Sequence, residues 1–312
     1  MKKILPLILI FIFSVFGCTS NSVKKAVSPN WKSKAIGGFS NVHIYVPKKK
    51  SPVGSGRSLM IVLHGCLQPA SAFTTANLDT VAEKYGMVIA LPDAKYPTGL
   101  GCWDFLDNNK KRNKGDYENI IYLVEQLTAQ KDLSIDNNQV YIAGLSSGGS
   151  YAMITGCLAP DVFAGVAVFA APSGGVETEE SAIEVQSDHN SAARDCVSYS
   201  KEYEKYFASQ LFVVAHGTDD SIVTDEYLDI NAGAMAKVYG LSDKNISPVK
   251  DIGNGVKETI YGSGRVAKLN LHGIPHEWTA GKGSSGEYIN NSAFNFGAYI
   301  ADFFLMNNGR AQ

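Results

Sequence analysis

Residues 139–158 of this 312-residue chain read QVYIAGLSSGGSYAMITGCL, and their order indicates the architecture. The part up to Leu145 is an apolar run typical of a buried strand, and 150–158 is a helix candidate. Between them lies G-L-S-S-G, with Ser146 at its centre. Strand, tight turn and helix is the context in which G-x-S-x-G presents a nucleophilic serine. A Gly-rich turn that only closes a strand is the alternative, since the chain has 30 glycines.

Six further apolar runs repeat the strand pattern. Most are continuous aliphatic or β-branched runs, as in strands covered on both faces. Amphipathic stretches separate them; residues 116–130 form one apolar helical stripe, with Asp116 as a candidate N-cap. This alternation predicts an α/β fold with a mostly parallel central sheet and helices on both faces. The predicted strands are 41–47, 59–65, 86–93, 139–146, 164–171, 211–218 and 266–273.

One interval breaks the alternation. Residues 172–210 are polar, charged and too long for a simple crossover between two predicted strands. Ligands bind at the carboxyl ends of the strands in an open α/β sheet, so an insertion that leaves such an end is a candidate lid. A surface excursion without a role is the alternative.

The first residues predict export. Two lysines precede an apolar run shorter than the roughly 20 residues that a membrane-spanning helix needs, which indicates a signal peptide at 1–17. The run ends in VFGC, which resembles a bacterial lipobox with Cys18 as the lipid-bearing residue; cleavage and release is the alternative. Polar residues 18–35 predict a flexible tether ahead of the α/β domain at 36–308. The chain is thus expected to be lipid-anchored to the bacterial envelope or secreted, with no other membrane contact.

Composition limits the partners. The formal net charge is −2 and no basic stripe is present, which argues against nucleic-acid binding. Hydrophobic residues make up 45% of the chain, as in ordinary globular proteins. Two histidines four residues apart can bind one metal ion from the same face of a helix. The pair in HGIPH (272–276) does not lie on a plausible helix, because the segment contains Gly and Pro. We therefore expect no structural metal site. No cofactor is implied.

Four cysteines follow Cys18. An even number in an exported chain favours disulfides, and the sequence alone allows three pairings. We expect Cys66–Cys102, because both residues follow neighbouring predicted strands at the carboxyl edge of the sheet. We also expect Cys157–Cys196, which requires Cys196 to reach the far end of the helix after Ser146.

A nucleophilic serine needs a base, and the base needs an orienting acid. Downstream of Ser146, HGTDDSIV (216–223) ends a predicted strand with two aspartates. LHGIPHEW (271–278) ends the last predicted strand with two histidines. Acid before histidine is the chain order of α/β-hydrolases, and both segments leave strand ends, where a sheet presents its site.

Five motifs in this order are similar to those of a known family: LHGCLQPASAF (63–73), CWDF (102–105), GLSSGG (144–149), HGTDDSIV (216–223) and PHEWTAG (275–281). Through them the chain resembles the polyhydroxybutyrate depolymerase and feruloyl esterase group of α/β-hydrolases. The resemblance runs from about residue 40 to 305. It implies an α/β-hydrolase fold, with residues 172–210 as a lid-like insertion, and a serine esterase that works through an acyl-enzyme; the insertion itself is inferred from the length and polarity of that interval.

The resemblance also implies roles for individual residues. Ser146 is the nucleophile, Asp220 the acid and His276 the base, and the backbone amides of Cys66 and Ser147 form the oxyanion hole.

Neighbours of these residues receive structural roles. Asp219 is interpreted as a turn former, His272 as a packed or hydrogen-bonded strand residue, and His64 and His216 as residues that hold turns. The implied substrate pocket contains Trp103, Trp278 and Gln68. The alternatives are core packing for the two tryptophans and a hydrogen bond within the oxyanion loop for Gln68.

Substrate choice is the most open question. Thr279-Ala280-Gly281 stands where the group has Pro-Gly-Gly, and Ile274-Pro275 replaces the Gly before the histidine; these residues shape the pocket rim. We expect esters of polyhydroxybutyrate or other hydroxyalkanoates, or their oligomers. A feruloyl or acetyl esterase on plant polysaccharide is the alternative, and an exopeptidase and a non-catalytic lipoprotein are rival classes. The predicted last helix, 291–306, nearly ends the chain, so we expect no polymer-binding module and better turnover of oligomers than of granules.

Overall fold

The computed structural model describes residues 25–176, 178, 180, 184–241 and 245–312. The predicted signal peptide at 1–17, the lipid-bearing Cys18 and the first part of the tether lie outside these ranges. Within them, no helix has the length and apolar character needed to cross a membrane.

The described residues form twelve strands, six α-helices and two 3-10 helices. The strands are β1 Lys32–Ile36, β2 Phe39–Tyr45, β3 Arg57–Leu63, β4 Met87–Pro92, β5 Ile135–Leu145, β6 Gly165–Phe169, β7 Leu211–Gly217, β8 Lys250–Asp251, β9 Val256–Tyr261, β10 Val266–Leu271, β11 Trp278–Thr279 and β12 Ile289–Asn290. The helices are α1 Leu78–Tyr85, α2 Gly115–Thr128, α3 Ser147–Leu158, α4 His189–Ser200, α5 Glu226–Val238 and α6 Phe296–Asn307, with 3-10 turns at Ala70–Thr75 and Lys201–Ala208.

Ten strands form one sheet in the order β1-β2-β4-β3-β5-β6-β7-β10-β9-β8. The central strands pair in parallel, in the spatial order β4, β3, β5, β6, β7, β10. At the two edges, β1 and β2 on one side and β9 and β8 on the other pair antiparallel. All seven predicted strands are present, as β2 to β7 and β10, which confirms the mostly parallel sheet. The exposed or mixed strands β1, β8 and β9 lack continuous apolar runs, and the sequence reading missed them.

Helices cover both faces of the sheet, as predicted. Strand β3 contributes side chains to the helix layers on both faces of the sheet. Met60 and Val62 pack with α1 and α6, whereas Leu59 and Ile61 pack with α2, α3 and α5. Successive strand residues point to opposite faces, so a run that is apolar throughout is buried on both sides.

Helix α2 begins one residue earlier than predicted, and Asp116 is not its N-cap. Lys114 holds that position without a side-chain capping bond. The Asp116 carboxylate instead accepts hydrogen bonds from the backbone N–H groups of Lys95 and Tyr96, both at 3.0 Å. The N-cap prediction was wrong because this buried carboxylate holds the loop after β4.

The described part of segment 172–210 packs onto the domain through α4. Ala192 and Ala193 of this helix pack with Ala234 of α5. A disulfide joins Cys196 to Cys157 of α3, with 5.1 Å between the Cα atoms. The predicted pairing of these cysteines is confirmed.

Candidate active site

Ser146 lies at the sharp turn between β5 and α3. Its backbone has φ 56° and ψ −125°, a region that costs a non-glycine residue about 1–3 kcal/mol and is often found at functional sites. Two hydrogen bonds hold it there: its N–H donates to the Phe169 carbonyl at 2.9 Å, and its carbonyl accepts from the Ser150 N–H at 3.0 Å. The tight turn predicted from G-x-S-x-G is therefore present, and its backbone is strained at Ser146.

The flanking glycines allow backbone segments to approach closely. A Cβ on Gly144 would lie 2.2 Å from the Gly148 carbonyl oxygen. A Cβ on Gly148 would lie 2.3 Å from the His64 carbonyl oxygen. The two glycines thus let β5, the start of α3 and the end of β3 meet at Ser146.

Asp220 and His276 are in direct contact. His276 Nδ1 lies 2.7 Å from Asp220 Oδ2. A carboxylate oxygen accepts, so Nδ1 carries the hydrogen and Nε2 is left to take up a proton. Both side chains are buried, and His276 lines the same cavity as Ser146.

The electrostatic environment keeps Asp220 ionised. Burial raises the pKa of this carboxyl, but hydrogen bonds from His216, His276 and the Val223 N–H outweigh it, so the pKa lies well below its usual range. The ionised carboxylate accepts the hydrogen of His276 Nδ1 and so fixes the tautomer and orientation of the ring. The pair therefore has the charge arrangement that a general base requires.

The neighbouring aspartate and histidine lie elsewhere. Asp219 is exposed at the turn and accepts a hydrogen bond from the Thr218 hydroxyl at 3.0 Å, in agreement with a turn former. His272 follows β10 and is exposed, so it is not packed, but its backbone N–H donates to the Gly255 carbonyl at 2.9 Å. His64 Nδ1 donates to the Gly65 carbonyl at 2.8 Å, and its Nε2 accepts from the Ala94 N–H at 3.2 Å. His64 thus holds a turn, as predicted.

A cavity of about 400 Å³ opens over Ser146 at the carboxyl ends of the parallel strands. None of the described residues that line it is Asp, Glu, Lys or Arg. Its walls are mainly apolar and include Leu67, Leu100, Phe105, Leu106, Ile222 and Val223. The site is therefore suited to an uncharged, largely apolar ligand.

Two backbone N–H groups at this cavity are free to bind an anion. Ser147 is the first residue of α3, so its N–H has no acceptor within the helix. The Cys66 N–H donates no hydrogen bond within the part of the chain that the structure describes. Both residues line the cavity with Ser146, where the predicted oxyanion hole would be.

The segment that carries Cys66 is braced on two sides. The predicted Cys66–Cys102 disulfide is confirmed, with 4.2 Å between the Cα atoms. Beside it, the Leu67 N–H donates to the Leu100 carbonyl at 2.8 Å. Residues 64–68, which carry the predicted oxyanion donor Cys66 and are called the oxyanion segment, are therefore tied to the cavity wall at 98–106.

The three side chains assigned to the pocket do not line it. Trp103 and Trp278 are completely buried, and Trp278 packs against Phe73 and Phe296 in the core. Their assignment to the pocket was wrong, because the large aromatic surfaces fill the layers beside the sheet.

Gln68 is a brace rather than a pocket residue. Its Oε1 accepts from the Gly65 N–H at 2.9 Å, and its Nε2 donates to the Glu287 carbonyl at 2.5 Å. It thus joins the oxyanion segment to the loop that carries Tyr288, a cavity residue.

The cavity walls were largely missed from the sequence. Leu67, Leu100 and Ile222 are exposed apolar side chains from three separate loops, and only the structure shows that they are exposed. Of the described residues of the predicted lid, only Pro172 lines the cavity. The lid role of 172–210 therefore stays a prediction. No group of three or more potential metal-binding side chains occurs in the described ranges.

The parallel sheet, the elbow and the histidine–aspartate pair on the following strand ends define an α/β-hydrolase. The acetyl xylan esterase from Aspergillus awamori has the same fold, with a TM-score of 0.69 over 88% of this chain and 98% of that structure, at 18% sequence identity. At this identity the likeness shows the fold alone.

Within that class, the chain belongs to the Esterase PHB depolymerase family, whose model matches residues 44–253. The poly(3-hydroxybutyrate) depolymerase of Ralstonia pickettii is 31% identical over 96% of this chain, and the chain spans 64% of that relative's length. Feruloyl esterase B of Thermothelomyces thermophilus is 25% identical over 76% of this chain and 84% of its own length. The family predicted from the five motifs is confirmed.

Proposed function

We propose that the protein is an exported serine esterase that hydrolyses carboxylic esters through an acyl-enzyme. The observation that carries this proposal is the bond between His276 and the buried Asp220 in the wall of the cavity that contains Ser146. Family membership supports the same reaction class.

The chemistry follows from the donors and acceptors at the cavity. His276 Nε2 takes the proton from Ser146 Oγ as this oxygen attacks the ester carbonyl. The amides of Cys66 and Ser147 stabilise the resulting oxyanion, and His276 returns the proton to the leaving alcohol. Water, activated by the same histidine, then releases the acid and restores Ser146. Loss of one such oxyanion donor costs about 10²- to 10³-fold in rate.

The leading substrate is an ester of a hydroxyalkanoate, as polymer or oligomer. The relative from Ralstonia pickettii is named for poly(3-hydroxybutyrate), and the uncharged apolar walls are compatible with such an acyl chain. Acetyl or feruloyl esters of plant polysaccharides are the alternative, favoured by relatives named acetylxylan esterase and feruloyl esterase. An exopeptidase is disfavoured, because an exopeptidase must bind a charged chain end and no charged side chain lines the described cavity wall.

Export belongs to the proposal as well. Two disulfides are typical of proteins in oxidising compartments, and residues 1–17 have the pattern of a signal peptide. We propose that Cys18 carries lipid after cleavage. Mass spectrometry of the mature N-terminus tests this, since an unmodified residue at or beyond position 18 would indicate release instead.

Replacement of Ser146 tests the esterase directly. Ser146→Ala should lower kcat on nitrophenyl esters by about 10⁴- to 10⁶-fold and abolish labelling by a fluorophosphonate probe. Ser147→Ala should cost much less, because it keeps the backbone N–H. Ser198→Ala, at an exposed position of α4, is the matched control and should be unchanged. Full activity of Ser146→Ala would refute the proposal.

The substrate class requires a panel. Hydroxybutyrate oligomers, polymer granules, feruloyl esters and acetylxylan should be compared at equal enzyme, with Ser146→Ala as the blank. The highest kcat/KM on oligomers supports the leading substrate, whereas the highest value on a polysaccharide ester supports the alternative.

A further inference from the structure

We infer that His216 is a positioning residue of this reaction: it holds the Asp220 carboxylate in the orientation in which Oδ2 faces His276. The inference rests on the proposed function. It assigns a role in the reaction to a side chain that touches neither the nucleophile nor the cavity.

The geometry specifies the state of the His216 ring. The side chain, at the end of β7, is 1% exposed, and its Nε2 lies 3.1 Å from both Asp220 Oδ2 and the Val223 carbonyl oxygen. Both oxygens only accept, so Nε2 must carry a hydrogen shared between them.

Asp220 Oδ2 therefore lies between two imidazoles. His216 Nε2 approaches it at 3.1 Å and His276 Nδ1 at 2.7 Å. The other oxygen, Oδ1, accepts from the backbone N–H groups of Ile222 and Val223, both at 2.9 Å. Those two bonds fix Oδ1 to the turn, and the bond from His216 fixes the rotation that directs Oδ2 toward His276.

No other side chain can replace this contact. Among the described residues, no Lys or Arg forms an ion pair with Asp220. Within the described ranges, the completely buried carboxylate thus has His216 as its only side-chain donor apart from the proposed base. Loss of a donor to a buried charged group is costly and allows the group to reorient.

His216 also closes the turn that carries Asp220. Its bond to the Val223 carbonyl joins the end of β7 to the far side of the turn. Ile222 and Val223 line the cavity, whereas His216 does not. Removal of the donor should therefore disturb the orientation of the base more than substrate binding, which predicts a loss in kcat with little change in KM.

Three substitutions separate the donor from the ring. His216→Leu removes the donor and keeps an apolar side chain. His216→Gln places an amide N–H as many bonds from the backbone as Nε2, without a titratable ring. His216→Asn has the same amide one bond shorter, and is the matched control for reach.

We expect His216→Leu and His216→Asn to lose about 10- to 100-fold in kcat on a nitrophenyl ester, the range expected when a catalytic group is displaced by up to 1 Å. KM should stay within about threefold, because no substrate contact is lost. His216→Gln should recover most of the lost kcat. Circular dichroism and thermal unfolding monitor folding in each variant.

The pH profile supplies a readout that mere loss of packing would not change. The acid limb of kcat/KM reports the base of the free enzyme, His276. The orientation of the Asp220 carboxylate affects this base, so the limb should shift in His216→Leu and stay in place in His216→Gln. The other titratable groups beside the pair, Asp219, Glu277 and Tyr288, are the same in all variants.

The outcomes distinguish this inference from the proposed function. Wild-type kcat in folded His216→Leu, or a folded His216→Gln as slow as His216→Asn, would overturn the role of His216 while Ser146→Ala stays inactive. An inactive wild-type protein would contradict the esterase itself. If His216→Leu fails to fold, the comparison of Gln with Asn decides the question; if Asn also fails to fold, His216 is needed for folding rather than for orienting Asp220, and the inference is wrong.

Discussion

Replacement of Gly148 by alanine tests whether the elbow and the oxyanion segment depend on each other. A Cβ at this position would lie 2.3 Å from the His64 carbonyl oxygen and 2.6 Å from that of Leu63. Ordinary contact starts at 3.4 Å, so the end of β3 or the start of α3 must move by about 1 Å. Neither obstacle is a side chain that could rotate away.

The displacement should affect activity more than stability. Gly65 and Cys66 follow directly after His64, so a shift of this backbone moves a proposed oxyanion donor relative to Ser146. A misplacement of 1 Å can cost about 10²-fold in rate. Overpacking costs about 1–3 kcal/mol, partly offset by the gain of about 1 kcal/mol when alanine replaces glycine in a helix. We expect kcat to fall about 100-fold and unfolding free energy to change by about 2 kcal/mol or less.

Gly156→Ala is the matched control for this experiment. It lies on the same helix, and its Cβ would meet Val166 Cγ2 at 2.3 Å, an equal overlap nearly three turns away from Ser146. Thermal unfolding and kcat on a nitrophenyl ester should be measured for both variants. Equal losses of kcat, or an unchanged kcat in Gly148→Ala, would refute the reasoning.

Two further predictions concern the acid and the disulfides. Asp220→Asn should lower kcat by about 10⁴-fold, since an amide favours the wrong tautomer of His276; activity within tenfold of wild type would contradict this role. The folded-state pKa of Asp220 lies below the unfolded value of about 3.9, so its contribution to stability is present above about pH 4 and is lost as pH falls toward the folded-state pKa. Acid titration of unfolding should therefore show a smaller pH dependence in Asp220→Asn. Replacement of Cys66 and Cys102 together by serine should lower kcat by about tenfold, because the oxyanion segment loses its brace. The same change at Cys157 and Cys196 should lower only stability, by about 2–5 kcal/mol, and equal kcat losses in both pairs would argue against a specific brace.

The order of secondary structure could be predicted from the sequence, because its causes are local. Continuous apolar runs such as 59–65 have few stable places other than a strand covered on both faces, and seven of them were found as strands. The tight turn at Ser146 could also be predicted, because only glycine allows backbone segments to come as close as they do at Gly144 and Gly148. Edge strands such as β9 lack an apolar run and gave no such signal.

Site residues could be predicted from the sequence where a motif contains both the residue and the neighbours that form its turn. The five motifs singled out Ser146, Asp220 and His276, and the structure brings the last two into contact and places Ser146 at the same cavity. The choice between Asp219 and Asp220 had no basis in composition, because the two are adjacent and chemically identical. Their difference lies in the turn, which buries one carboxylate and leaves the other near solvent.

By itself, then, the sequence determined the sheet, the tight turn at Ser146 and the chain order of the segments that carry Asp220 and His276, all of which follow from short-range pattern. Only the tertiary structure decided which apolar residues form the core and which line the cavity: Trp103 and Trp278 are buried, whereas Leu67 and Leu100 are exposed at the cavity. It also decided that His216 reaches Asp220. The physical reason is that burial and hydrogen bonding depend on which loops contact one another at the end of the sheet. Those contacts are determined by the packing of the whole domain.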